Sequence, residues 1–181
     1  MAHPRQILMR KGYVIIITGD GKGKTTSAIG TAFRAAGWGL KTYIAQFIKG
    51  RETGEIKAAA KFPENIKIEL FGSLSFIKPG KPDKRDIELA KLGLSKARDA
   101  MLSGDYDIVI LDEVNVALKM GLLDLEEVMD LIRKKPEHVD LVLTGRYAPT
   151  ELIDAADLVS EIREVKHYFR KGVRARKGIE Y

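Results

Sequence analysis

The stretch that decides the architecture is Tyr13-Val-Ile-Ile-Ile-Thr-Gly-Asp-Gly-Lys-Gly-Lys-Thr-Thr26. Its first six residues, Tyr13–Thr18, form a short β-branched, apolar run of the kind that is buried on both faces of a sheet. Glycines at 19, 21 and 23 then break the run. An alanine-rich stretch, Thr25–Ala36, follows with helical character and stops at Gly37. Strand, glycine turn and helix in this order is the context of a phosphate-binding loop. Glycines let backbone N–H groups turn inward toward phosphate oxygens, and the helix N-terminus adds positive potential. Lys24 supplies a point charge and Thr25 a hydroxyl for Mg2+. The candidate nucleotide-binding residues are therefore Gly19, Asp20, Gly21, Lys22, Gly23, Lys24, Thr25 and Thr26. Lys22 has two readings, a phosphate contact or a solvated loop charge. The strict pattern G-x-x-x-x-G-K-[ST] needs glycine at position 18, where this chain has Thr18, so the loop is a variant and its nucleotide orientation is not given by ordinary loops of this class.

Working outward, three more runs have the same buried-strand character: Thr42–Phe47, Ile108–Asp112 and Val139–Thr144. Two weaker runs, Ile66–Phe71 and Leu158–Val165, are expected to complete the sheet. Between them Asp83–Ser103 places Ile87, Ala90, Leu94, Ala97 and Met101 on one helical stripe. A further helix opens on a capping box at Asp124 and Glu127, buries Leu125, Val128 and Ile132, and is stopped by Pro136. Alternating strands and helices imply an α/β fold: a single three-layer P-loop domain with about six mostly parallel strands and helices on both faces. A short arm, residues 1–11, precedes the domain at 12–181, and Lys78–Pro82 reads as a loop.

With 181 residues and 45% hydrophobic composition there is room for one sizeable core. No apolar run approaches the roughly 20 residues that span a bilayer, and Met1–Lys11 lacks a secretory pattern. The expectation is a cytoplasmic protein. The chain has no cysteine, which excludes disulfides, thiolate metal sites and thiol nucleophiles and favours an oxygen-liganded cation. A net charge of +6 suits anionic ligands without choosing among them.

In such sheets ligands bind beyond the carboxyl ends of the strands. The run Asp107–Asp112 ends in two carboxylates, Asp112 and Glu113, the arrangement that holds magnesium opposite a phosphate-loop hydroxyl. The candidate metal ligands are Thr25, Asp112 and Glu113. If the strand continues, the two acids point to opposite sides, and one of them is a direct ligand. The fifth run ends in Leu143-Thr-Gly-Arg146, where Arg146 can reach a triphosphate or form a surface ion pair. Lys24, Glu113 and Arg146 are the catalytic candidates. No Ser/His/Asp set suggests a protein nucleophile.

Several segments together resemble the P-loop family of ATP:corrinoid adenosyltransferases: Thr18–Thr26, Gln46-Phe-Ile-Lys-Gly50, Leu111–Glu113, Thr144–Arg146, and a tail with Val159-Ser-Glu161, Val165-Lys-His167, Phe169, Gly172, Ala175 and Gly178-Ile-Glu-Tyr181. The resemblance runs from about Gly12 to the last residue. It implies a recombinase-ATPase-like fold, a homodimer, and Mg2+-dependent attack of a corrinoid cobalt(I) on ribose C5′ of ATP with release of triphosphate, in adenosylcobalamin biosynthesis or salvage. It also implies a reductase or reduced flavoprotein as electron donor. The chain departs from the family in carrying Asp20 where asparagine is usual. Of an aromatic pair that displaces the lower cobalt ligand, it matches one member, Phe76, with Lys78 at the other position.

Cobalt(I) is itself a strong nucleophile, so the demands on the protein are alignment of C5′ and neutralisation of charge on the departing triphosphate. Two rivals stay open. One is a P-loop kinase or hydrolase with Glu113 orienting a hydroxyl or water. The other is a nucleic-acid-binding ATPase, motivated by Arg163, Lys166, Arg170, Lys171, Arg174, Arg176 and Lys177 interleaved with Tyr168 and Phe169. A solvated basic tail over the sheet edge is favoured over that second rival, because no dedicated nucleic-acid module is evident.

Overall fold

A computed structural model of the chain describes residues 10–73 and 82–181; Phe76 and Lys78 lie outside them. Six strands form one sheet: β1 (Val14–Thr18), β2 (Thr42–Phe47), β3 (Ile66–Phe71), β4 (Ile108–Asp112), β5 (Asp140–Thr144) and β6 (Leu158–Glu161). Their order is β3-β2-β4-β5-β1-β6, and every pairing is parallel. The helices are α1 (Lys24–Ala36), α2 (Gly54–Ala59), α3 (Lys84–Leu102), α4 (Val114–Lys119), α5 (Leu125–Arg133) and α6 (Thr150–Ala155), with a 3₁₀ turn at Tyr168–Lys171.

The strand sequences divide their side chains between two cores because successive residues face opposite sides of a sheet. Tyr43, Ala45, Phe47, Val109, Leu111, Leu141 and Leu143 pack with Ala90, Leu94, Ala97 and Met101 of α3, Val114 of α4, Val128 and Leu131 of α5 and Leu152 of α6. The intervening Ile17, Ile44, Ile108, Ile110 and Val142 meet Ala28, Ala32 and Ala35 of α1 and Ala59 of α2. The alanine stripe of α1 lets that helix lie close on the sheet and hold its N-terminus at the end of β1. In α5 the capping box of Asp124 and Glu127 is present. Leu131 is fully buried there, whereas the expected Leu125 and Ile132 are only partly so.

The central strands match their expected extents to within a residue, and β6 does not. It ends at Glu161 rather than Val165, and all four of its residues are exposed. The chain then turns across the glycine loop: Gly21 N donates to Ile162 O at 2.8 Å, and Ile162 N to Thr18 O at 2.8 Å. An added Cβ on Gly19 would lie 2.3 Å from the Ile162 carbonyl oxygen, and Gly19 has φ +98°. Glycine is required there on both counts.

Candidate active site

The order of the sheet brings the carboxyl ends of β1, β5, β4 and β2 side by side. Each end turns sharply. Ile48 follows β2 with φ 68°, Glu113 follows β4 with φ 66°, and Tyr147 lies just beyond β5 with φ 63°. Non-glycine residues in the left-handed region cost roughly 1–3 kcal/mol each and gather where function constrains the backbone. All three line up along one edge of the molecule.

At the centre of that edge lies Asp112, fully buried, with both oxygens saturated by donors. Oδ1 accepts from Thr25 Oγ1 at 2.8 Å and Thr144 Oγ1 at 2.7 Å. Oδ2 accepts from Gln46 Nε2 at 3.0 Å and Lys49 Nζ at 3.1 Å. Lys49 Nζ also donates to Thr25 Oγ1 at 3.3 Å and lies 3.6 Å from Glu55. Thr144 accepts from the Glu113 amide at 2.9 Å, which links the ends of β4 and β5. A buried carboxylate needs this density of donors to offset its lost hydration.

Strand geometry does not carry the second acid to the opposite face, because β4 ends at Asp112 and Glu113, the N-cap of α4, has the left-handed conformation. Burial, and after it the neighbouring Asp112 charge, hold the Glu113 carboxyl above its ordinary range. Lys24 is buried and donates to Gly21 O at 2.6 Å across the loop. Burial pulls its ammonium below the usual lysine value, and Glu113 works against that pull. Arg146 Nη2 donates to the Asp20 carbonyl at 3.2 Å, so it reaches from β5 to the glycine loop.

A cleft of 720 Å³ collects these groups. It is lined by residues 21–26, Lys49, Glu55, Glu113, Val116, Arg146, Tyr147 and His167, and by the tail at Gly178–Tyr181. Lys24, Thr25, Glu113 and Arg146 thus share one cavity, with Asp112 directly behind Thr25. Asp20 does not face it: Oδ1 accepts from the Glu164 amide at 3.0 Å, and that hydrogen bond keeps the carboxyl below its ordinary range. Lys22 borders the cleft, and its Nζ donates to Ile179 O at 2.6 Å. His167 Nδ1 accepts from Phe169 N and caps the tail turn. Lys49, Gln46 and Thr144 are not among the predicted site residues; for Gln46 the signal is a glutamine in a fully buried strand, and Lys49 carries no such signal.

The donor set suits a hard cation. Among the described residues no three His, Cys, Asp or Glu side chains form a group that could hold a metal unaided. The Thr25 hydroxyl and the Glu113 carboxyl face the cleft and are the hard oxygen donors that suit magnesium, whereas Asp112, with donors on both oxygens, lies behind Thr25 and fixes that hydroxyl.

A parallel sheet with a phosphate loop after its first strand and a buried acid at the end of β4, with β5 between the two, defines the recombinase-type P-loop fold. The KaiC-like protein PH0186 of Pyrococcus horikoshii OT3 matches it with TM-score 0.57 and 16% identity, over 84% of this chain and 73% of that one, a likeness of fold. The chain belongs to the ATP:corrinoid adenosyltransferase family BtuR/CobO/CobP, whose model matches residues 10–181. A corrinoid adenosyltransferase of Pseudomonas aeruginosa is 39% identical over 172 residues, covering 94% of this chain and 84% of its own. Corrinoid adenosyltransferase CobA of Salmonella typhimurium is 34% identical over 181 residues, covering 99% and 91%. The protein is thus an enzyme, an ATP:corrinoid adenosyltransferase. Among the described residues no helix is long and apolar enough to cross a membrane.

Proposed function

We propose that the cleft binds the triphosphate of ATP on the loop amides, Lys24 and Arg146, and presents ribose C5′ to a reduced corrinoid. A cobalt(I) electron pair forms the cobalt–carbon bond as the C5′–O bond breaks, and inorganic triphosphate leaves with that bonding pair. No general base is needed, and the cleft sets Lys24, Lys49 and Arg146 where the triphosphate would lie. Lys24 and Arg146 neutralise charge that grows on the leaving group, where fixed donors are most effective. Thr25 and Glu113 would hold magnesium, which screens the same charge, with Asp112 fixing the Thr25 hydroxyl from behind. The observation that carries the reading is the convergence of Lys24, Thr25, Glu113 and Arg146 on one cleft, with Asp112 tying the loop to β4 and β5.

Phe76 is assigned to the corrin side, where an apolar ring against the lower face excludes a coordinating ligand. A homodimer, an electron-donating reductase or reduced flavoprotein, and a cytoplasmic setting complete the proposal. Anaerobic incubation with Mg2+, ATP and chemically reduced cobalamin tests it. The expected products are the absorbance of a cobalt–carbon bond and an equivalent of triphosphate. ADP in place of triphosphate would assign the cleft to phosphoryl transfer or hydrolysis.

A further inference from the structure

From Glu161 to Tyr181 the chain has no buried residue. Ile162 packs against the core; beyond it the segment is held by polar links, and these are few and specific. Residues 168–181 fold back on themselves through turns at Gly172 and Gly178, both at φ +80°. Gly178 N donates to Tyr181 O at 2.7 Å, and Glu180 N to Arg176 O at 2.9 Å. One side chain closes the lobe. Glu180 accepts from the Tyr168 hydroxyl, from Arg176 N at 2.6 Å and from Arg176 Nε at 3.4 Å. The Arg176 guanidinium in turn lies 4.8 Å from the centre of the Tyr168 ring, within cation–π range.

The closed lobe meets the phosphate loop through Lys22. Its Nζ donates to Ile179 O at 2.6 Å and lies 4.0 Å from Glu180. The lobe thereby brings Gly178–Tyr181 into the wall of the cleft that holds Lys24, Glu113 and Arg146. We propose that Glu180 is a positioning residue for ATP: it clasps the 168–181 lobe through Tyr168 and Arg176, and Lys22 docks the clasped lobe as the outer wall of the nucleotide cleft. Lys22 then acts as the anchor of the wall rather than as a phosphate ligand. The wall shapes the cleft and takes no part in bond making, so it sets the affinity for ATP more than the rate of transfer.

The inference rests on ATP occupying this cleft, and one set of variants separates the two claims. Two quantities are measured: KM for ATP against kcat with pre-reduced cobalamin, and limited trypsin cleavage at Arg174, Arg176 and Lys177 with and without ATP. In the wild type, ATP should slow the cleavage. Glu180→Ala should raise KM about tenfold, the weight of a hydrogen bond to a charged group, with kcat within about threefold, and should speed tail cleavage without ATP. Glu180→Gln keeps an acceptor for Tyr168 and Arg176 and should fall between. Lys22→Met should raise both KM and tail cleavage. An unchanged KM and cleavage rate in Glu180→Ala overturns the clasp. A Lys22→Met enzyme with weaker ATP use and a normally protected tail overturns the anchor and returns Lys22 to the phosphates. Lys24→Ala tests the underlying reading: if that variant still binds ATP and ATP still protects its tail, the phosphate-loop assignment fails instead.

Discussion

At the scale of single residues, charge state follows from what surrounds each group, and Glu113 gives the sharpest test. Burial first, and the Asp112 charge next, hold its carboxyl above the ordinary range. A carboxyl raised by folding binds its proton more tightly in the folded state. Its stabilising contribution is complete below the unfolded value near 4.5 and is lost as pH rises through the folded value. The ionised side chain is therefore a cost at alkaline pH, and Glu113→Gln removes it. In metal-free buffer, thermal unfolding of the variant should lie above wild type at pH 8, and the gap should close by about pH 4. A gap that persists in acid would assign the effect to something other than ionisation. Arg146 is one of the cations that pull against this rise. Arg146→Ala should lower turnover by roughly 10², the effect of losing one preorganised donor to a developing charge; a loss below about twofold would make it a structural arginine. The sequence reveals these residues because each follows a strand. Lys49 was not legible as a site residue, because only the turn at Ile48 (φ 68°) carries it back to Asp112.

At the scale of elements, what was legible follows burial. The central strands are buried on both faces and read as continuous apolar runs, so β1, β2, β4 and β5 have nearly their expected limits. The edge strand β6 has no such signature, and its apparent extension to Val165 belongs to the crossing over the glycine loop. The helices α2, α4 and α6 have six residues each. That is under two turns, too short for a 3.6-residue period to repeat. Gly19 and Gly30 make opposite tests. Gly19 has φ +98° and its added Cβ would strike the Ile162 carbonyl, so Gly19→Ala should lose roughly 1–3 kcal/mol of stability and ATP binding with it. Gly30 lies inside α1 with nothing within 4 Å of an added Cβ. Gly30→Ala should gain about 0.5–1 kcal/mol, because alanine loses less backbone entropy in a helix. Urea denaturation of the two variants measures both, and a tolerated Gly19→Ala would mean that the loop does not need the Ile162 contact.

At the scale of the molecule, one edge of the sheet must serve two substrates of different character. The described cleft is polar and charged, with Lys24, Lys49, Arg146 and the loop amides for the triphosphate and Glu55, Glu113 and Glu180 among them. A corrin macrocycle is broad and largely apolar, and its half of the site needs a different surface. Phe71 ends β3 on the same carboxyl edge as the phosphate loop, and α3 begins at Lys84 after the intervening segment, which contains Phe76. The resemblance assigns the corrin contact to that segment, and Lys78 leaves Phe76 as the one aromatic of the pair. Excluding the lower ligand from cobalt makes cobalt(II) easier to reduce, whereas a preformed cobalt(I) gains nothing from the exclusion. Phe76→Ala should therefore keep its ATP affinity and much of its transfer rate with pre-reduced cobalamin, and lose activity when cobalt(II) must be reduced on the enzyme. Equal loss in both assays together with a lower melting temperature would identify Phe76 as a packing residue. Equal loss at an unchanged melting temperature would place it in corrinoid binding at large, with no selective effect on reduction.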